Sequence, residues 1–373
     1  MDRFWTEGLG AGWRNFREPG AEGKYEVGME SSPTPALPAF LSGAPEDVAR
    51  AAALLRAGAV VALPTETVYG LAANALDAGA VRKIFEIKGR PLLDPLIVHG
   101  LDEEFLAQVA EFTPAGRRLA AAFWPGPLTL VLPKKAAVPD VVTAGRRTVA
   151  VRAPAHPVMR AVLAACGLPL AAPSANPFGY ISPTRAQHVR DSLGAGAPWI
   201  VDGGACALGL ESTIVDVSDE EAGVRILRLG PVTAEELSVV LGGTVRVETA
   251  TGKKAEESGN KEGLLAPGML ERHYSPRTPL DLLEPGARPP GAAAGTRAAW
   301  VRLRREAAGD APAGVETFWL SERGDLAEAA RGLYDLLRQL DRGGYARIWC
   351  ERAEETGLGA AFNDRLRRGA AKG

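Results

Sequence analysis

Cations and small hydroxyl or amide side chains recur in short motifs along this 373-residue chain. "KGRPLLDP" sets Lys88 and Arg90 two apart ahead of a proline. Lysine supplies a point charge and arginine a bidentate fork, so the pair reads either as a polyphosphate clamp or as favourable charge at a helix C-terminus. "TVAVRAP" places Arg152 inside an apolar strand, where a guanidinium needs an anion, from a protein or a substrate carboxylate. "PLAAPSANPFGYISPT" presents Ser174, Asn176, Ser182 and Thr184 on a loop stiffened by Pro173, Pro177 and Pro183. Such loops make anion nests, as do helix N-termini, one of which is expected at Pro183 or Thr184; the same pattern fits a hydrogen-bonded crossover. "LPTETVYGL" brings Thr65, Glu66 and Thr67 to the end of a strand, as a polar ligand site or as an ST-turn with a helix cap. "GLESTIVD" leads Glu211, Ser212 and Thr213 into a strand, "ILRLG" carries Arg228, and "RHYSPRTP" carries His273 and Tyr274. His99 ends "PLIVH", as a satisfied core histidine or facing the same cleft.

Several cations and hydroxyls, with no metal-ligand cluster and no Ser/His/Asp or Cys/His set, form a palette for binding a nucleoside triphosphate and placing it for attack. GxxxxGK[ST] is absent, and no GxGxxG follows a strand, so neither a P-loop nor a dinucleotide fold is expected. Cys166, Cys206 and Cys350 lie far apart without CxxC spacing, which argues against structural zinc and fits a reducing cytosol. The net charge of −2 argues against a globally basic nucleic-acid surface. An apolar fraction of 46% and a charged fraction of 24% are those of a soluble globular protein. No apolar run approaches the roughly 18–20 residues that span a bilayer, and no secretory start is visible.

The elements that must position these groups alternate. Helices are expected in "PEDVARAAALLRAG", "AGAVRKIFEIKGR", "DEEFLAQVAEF", "TPAGRRLAAAFW", "HPVMRAVLAACG" and "PTRAQHVRDSLG". Strands are expected in "AVVALP", "PLIVHG", "LTLVLPK", "TVAVRAP", "LPLAAP", "PWIVDGG", "STIVDVS" and "VRILRLG". This describes an α/β domain with a mixed sheet over 44–242. Residues 1–43 read as a loose N-terminal extension and 243–277 as a linker and lid. Beyond them, "PLDLLE", "AAWVRLR", "VETFWLS" and "ARIWCERA" read as strands. "DLAEAARGLYDLLRQLDRGG" and "AAFNDRLRRGA" read as helices, giving a smaller α/β domain over 278–373.

Taken in order, "PTETVYGL", "KGRP…PLIVH", "WPGPLTLVL", "VAVRAPAHP", "PLAAPSAN…SPT", "GLESTIVD", "PGM…RHYSPRTPL" and "GLGAAFNDRL" resemble the two-domain threonylcarbamoyl-adenylate synthases of the YrdC type, from about residue 44 to the end. The resemblance implies a YrdC-like twisted mixed sheet with helices and a large concave cleft, plus a smaller Rossmann-like C-terminal domain. It implies a cytoplasmic nucleotidyltransferase that makes L-threonylcarbamoyl-AMP and pyrophosphate from L-threonine, bicarbonate or CO2, and ATP with Mg2+. The product would pass to the machinery that modifies tRNA beside the anticodon, without membrane attachment or stable nucleic-acid binding.

Carried over by position, Lys88, Arg90, Ser174 and Asn176 would be catalytic. Arg90, Thr148, Ser174, Ser182, Arg228 and Tyr274 would surround ATP. Thr67, His99, Arg152, Ala172 and Ser212 would hold L-threonine, with Ala172 acting through its backbone. No protein side chain is implied as a metal ligand. Two positions depart from the family pattern: Asp94 stands where Asn is usual, and Ala266 replaces a Ser before Pro-Gly. Two other readings draw on the same residues. One is an RNA-binding module with a cationic cleft, which the charge and the lack of interleaved aromatics oppose. The other is a carbamoyltransferase of the hydrogenase-maturation type, whose CxxC pairs are absent.

Overall fold

Apolar residues at helical spacing, opened by polar caps or by proline in the first turn, account for most helices of the computed structural model. It describes residues 40–248, 266, 273–305 and 311–371. In chain order the N-terminal part contains β1 Phe40–Leu41, α1 Pro45–Arg56, β2 Val61–Leu63, β3 Gly70–Asn74, α2 Ala78–Lys88, β4 Ile97–His99, α3 Glu103–Leu106, α4 Pro114–Phe123 and β5 Leu128–Pro133. It continues with α5 Asp140–Thr143, β6 Thr148–Arg152, α6 Pro157–Cys166, β7 Leu170–Ala171, α7 Ala186–Leu193, β8 Trp199–Val201, β9 Thr213–Asp216, β10 Arg225–Arg228, α8 Ala234–Leu241 and β11 Arg246–Val247. The C-terminal part contains β12 Leu280–Leu283, β13 Ala298–Arg304, β14 Val315–Ser321, α9 Leu326–Arg342, β15 Arg347–Glu351 and α10 Leu358–Ala370. Among the described residues no helix is long and apolar enough to cross a membrane.

The larger sheet is mixed, in the order β1-β8-β2-β3-β7-β4-β6-β5-β9-β10-β11. The smaller is parallel, in the order β12-β15-β13-β14. On one face of the large sheet Val98, Leu130 and Val151 pack with Ile84 and Phe85 of α2 and Leu119 of α4. Their neighbours Ile97, Ala150 and Ile214 point the other way and join a small cluster with Ala266. The second domain does not own its core alone. Val68, Ile181, Leu210 and Tyr274 share one apolar cluster with Leu333, Leu337, Phe362 and Leu366 of α9 and α10.

Four local expectations change. Phe40 and Leu41, read as part of a loose extension, pair in parallel with β8, and Leu41 is buried; residues 1–39 lie outside the described residues. Arg246 and Val247, read as linker, pair with β10; 249–265 and 267–272 also lie outside the described residues. The helix read through 102–112 stops at Leu106. The N–H of Glu111 bonds to Pro133 O and Ala110 bridges Lys134, so sheet pairing overrides helix propensity there. Helix α7 starts at Ala186, because the backbone of Pro183 and Thr184 already serves Tyr69 N and Cys206 N. A strand over 70–74 was not anticipated from its small residues.

Candidate active site

Ile97 and His99, two apart on β4, both border one cleft, so the cleft lies on a face of the sheet rather than at its strand ends. It encloses about 550 Å3, open to solvent. Parallel pairing sets His99 beside Arg152 of β6. Ala172, Pro173 and Ser174 leave β7 along the same wall, and Gly70 bridges Ser174. A Cβ on Gly70 would stand 3.2 Å from the Ala172 Cβ and 3.4 Å from Pro173 O, so this approach favours glycine. Ser212 at the entry to β9 and Arg228 at the end of β10 close the opposite side.

Arg152 is 3% exposed, and its anion is a protein carboxylate: Nη2 lies 2.7 Å from Glu66 Oε1. Nη1 donates to Thr67 Oγ1 at 2.9 Å and Nε to Gly126 O at 3.1 Å. Thr65 forms the anticipated ST-turn, its Oγ1 accepting the N–H groups of Thr67 and Val68, but a strand follows in place of a helix. Burial alone would raise the Glu66 carboxyl; the Arg152 charge and hydrogen bond outweigh it and hold the group below its ordinary value. Burial and the Arg152 charge push His99 down to about 3, so its imidazole is neutral, and its Nδ1 has no hydrogen-bond partner among the described residues.

Arg90 is also buried. Its Nη2 lies 2.9 Å from Asp94 Oδ1 and donates to Pro95 O at 2.8 Å. The carboxylate at 94 is thus engaged with Arg90. Arg228 differs. Nε donates to Ser212 O and Nη2 to Ser212 Oγ, each at 3.0 Å, and among the described residues no carboxylate pairs with it. Burial lowers its pKa, against the opposing pull of Tyr274 and Glu211. Ser212 Oγ also lies 2.8 Å from Thr129 Oγ1.

His273 and Tyr274 complete the lining, their rings 4.1 Å apart. Tyr274 holds φ at 63°, a left-handed conformation that costs a non-glycine residue about 1 kcal/mol or more. Its ring stacks on Tyr334 at 5.8 Å, and its hydroxyl has no hydrogen-bond partner among the described residues. Burial, then the charges of Arg90, Lys88, Arg228 and Arg368, push His273 well below its ordinary value.

Of the residues assigned from sequence, Thr67, Arg90, His99, Arg152, Ala172, Ser174, Ser212, Arg228 and Tyr274 line the cleft. Lys88, Asn176, Thr148 and Ser182 do not. Lys88 turns its ammonium onto Ser174 O at 2.5 Å and Asn176 O at 2.6 Å; burial and the Arg90 charge push it well below its usual value. Asn176 donates to Pro177 O and Tyr180 O. These two shape the loop behind Ser174. Thr148 is half-buried at the far end of β6 from Arg152. Ser182 is fully buried, and its carbonyl accepts from Arg338 of α9 at 3.3 Å. Glu66, read as part of a polar ligand site, instead pairs with Arg152, while Glu211 and His273 line the cleft without an individual role assigned from sequence. The helix start near residue 184 is not part of the lining. Among the described residues no group of three or more His, Cys, Asp or Glu is placed to hold a metal.

Comparison with known proteins places these features in context. A family profile described as "Telomere recombination" matches residues 53–230. A second, "Threonylcarbamoyl-AMP synthase, C-terminal domain", matches residues 232–371. The chain is 41% identical to threonylcarbamoyl-AMP synthase of Pyrococcus abyssi, over 85% of this chain and 92% of that protein. It is 40% identical to the Bacillus subtilis enzyme of the same name, over 87% and 92%. The solved structure of P. abyssi Sua5 complexed with L-threonine superposes with a TM-score of 0.77 at 37% identity, covering 89% of this chain and 97% of that one.

Proposed function

The chain belongs to the threonylcarbamoyl-AMP synthase family, and from its cleft we propose that it joins L-threonine, bicarbonate or CO2, and ATP into L-threonylcarbamoyl-AMP and pyrophosphate. The observation that carries this is convergence. Three buried guanidinium groups, Arg90, Arg152 and Arg228, meet the hydroxyls of Thr67 and Ser212 and the neutral imidazole of His99 in one hollow, and among the described residues Arg228 forms no ion pair.

The threonine amine adds to CO2 and forms a carbamate with release of a proton. A carbamate oxygen then attacks the α-phosphorus, the bond to the β-phosphate bridge breaks, and pyrophosphate departs in line. No side-chain nucleophile is needed. Arg228 and Arg90 are suited to neutralise charge on the triphosphate as it leaves, and Ser174 to hydrogen-bond it. Arg152 with Thr67 suits the amino-acid carboxylate, and His99 the hydroxyl, because a neutral imidazole can donate or accept. Lys88 and Asn176 act by holding the Ser174 loop. Mg2+ enters with ATP as part of the substrate. The product passes to a tRNA-modifying transferase in the cytoplasm.

The test is incubation with labelled bicarbonate while pyrophosphate is followed. Release should require threonine, bicarbonate and ATP together and stop when Mg2+ is chelated. Release that ignores threonine would overturn the reading.

A further inference from the structure

Among the described residues lining the cleft, Glu211 is the one carboxylate, and it is 6% exposed. Its Oε2 is fully engaged: Tyr334 Oη donates at 3.0 Å and Arg365 Nε at 2.7 Å. Its Oε1 is buried and has no hydrogen-bond partner among the described residues. Both fixing groups come from the C-terminal domain, Tyr334 from α9 and Arg365 from α10. Arg365 is itself anchored, with Nη2 donating to Leu229 O at 2.7 Å and Nη1 paired with Asp364. A buried carboxylate held by one oxygen and open at the other is a half-built site, because an unmet acceptor of this kind is unfavourable until a donor arrives. The other charged groups described in the lining are the cations Arg90, Arg152 and Arg228. An amino acid brings both a carboxylate, which guanidinium groups attract, and an ammonium, which they repel.

We propose that Glu211 Oε1 receives the α-ammonium of the amino-acid substrate, and that Arg365 and Tyr334 are positioning residues acting through Glu211. This deepens the function proposed above and rests on it. The C-terminal domain then takes part in amino-acid selection: it aims the group that recognises the amine, while the Arg152 side of the cleft recognises the acid.

The experiment is calorimetric titration of the full chain, without nucleotide or Mg2+, using L-threonine and 3-hydroxybutyrate, which is threonine without its amine. Weak binding of the second is read by displacement of the first. Glu211→Gln, nearly isosteric, should weaken threonine tenfold or more and change 3-hydroxybutyrate by less than twofold. Arg365→Met should show the same selective loss, and the double variant should bind threonine no more weakly than Glu211→Gln alone. Equal loss of both ligands, which a merely structural role would give, overturns the proposal. So does unchanged threonine affinity, including the case in which only the Mg2+ dependence of pyrophosphate release shifts. Should Arg365→Met not fold, Glu211→Gln carries the test. Wild-type pyrophosphate release without threonine would instead sink the underlying reading of function.

Discussion

Replacing His99 by Gln should flatten the acid side of the stability curve. In the folded protein the imidazole titrates at about 3, because burial and the Arg152 charge disfavour its cation. In the unfolded chain it titrates near its usual value of about 6.5. The folded state therefore binds fewer protons between those limits. The stability contributed by keeping His99 neutral is fully present above about pH 6.5 and is lost progressively as pH falls towards 3. With those two values, lowering pH from 7.5 to 5.0 removes about 2 kcal/mol through His99 alone. His273 is shifted in the same direction and adds to the loss. Urea denaturation of wild type and His99→Gln at both pH values, followed by tryptophan fluorescence, isolates the term. The variant should lose about 2 kcal/mol less than wild type over that interval, whatever its stability at pH 7.5. Equal losses would refute the assignment of a buried, neutral imidazole.

Arg228→Met should lower pyrophosphate formation at least 100-fold while leaving Tm unchanged or raised, since a buried guanidinium with no ion pair among the described residues opposes folding; a lowered Tm would contradict this. Gly209→Ala should reduce stability by about 2 kcal/mol or more in thermal denaturation. The residue has φ of +75° and a Cβ there would lie 2.6 Å from the Arg331 Cα, wedging the catalytic loop away from α9. Arg338→Met should destabilise by about 2–4 kcal/mol in urea and raise the protease sensitivity of the 174–184 loop. It removes the donor shared by Ile181 O, Ser182 O and, at 2.8 Å, Ser192 Oγ.

How far the sequence could be read depends on whether a feature is local. Caps and periodic apolar faces are local, so α4 behind Thr113-Pro114 and α9 behind Asp325 lie close to where their motifs place them. The order of cationic and hydroxyl motifs was legible too, and it assembles most of the cleft. The direction of a side chain after its strand is chosen was not legible. Arg152 announced its need for an anion, but nothing in "VAVRAP" identifies Glu66, 86 positions earlier, as the partner. Lys88 and Arg90 look equivalent in "KGRP". One turns inward onto two carbonyls and the other lines the cleft, because the helix ends between them with Gly89 at φ 59°. Short strands such as β1, β3 and β11 draw their identity from partners distant in sequence, which no local pattern carries.

The face of α9 joins two domains that read as separate in sequence. Tyr334 reaches Glu211, Asp335 lies 3.1 Å from His188 Nε2, and Arg338 holds the carbonyls of Ile181 and Ser182. Asp341 accepts from Tyr180 Oη and Thr278 N, and Arg342 pairs with Asp191. An apolar seam would bury as much surface and let the domains slide by fractions of an ångström. Directional bonds between charged groups and main-chain carbonyls resist such sliding, because a displaced donor leaves a buried acceptor unmet. Tyr180, Ile181 and Ser182 follow directly from the Ser174 loop, and Glu211 precedes Ser212. One helix therefore sets the position of two opposite walls of the cleft. An in-line displacement by a carbamate oxygen, with no covalent help from the protein, depends on that geometry.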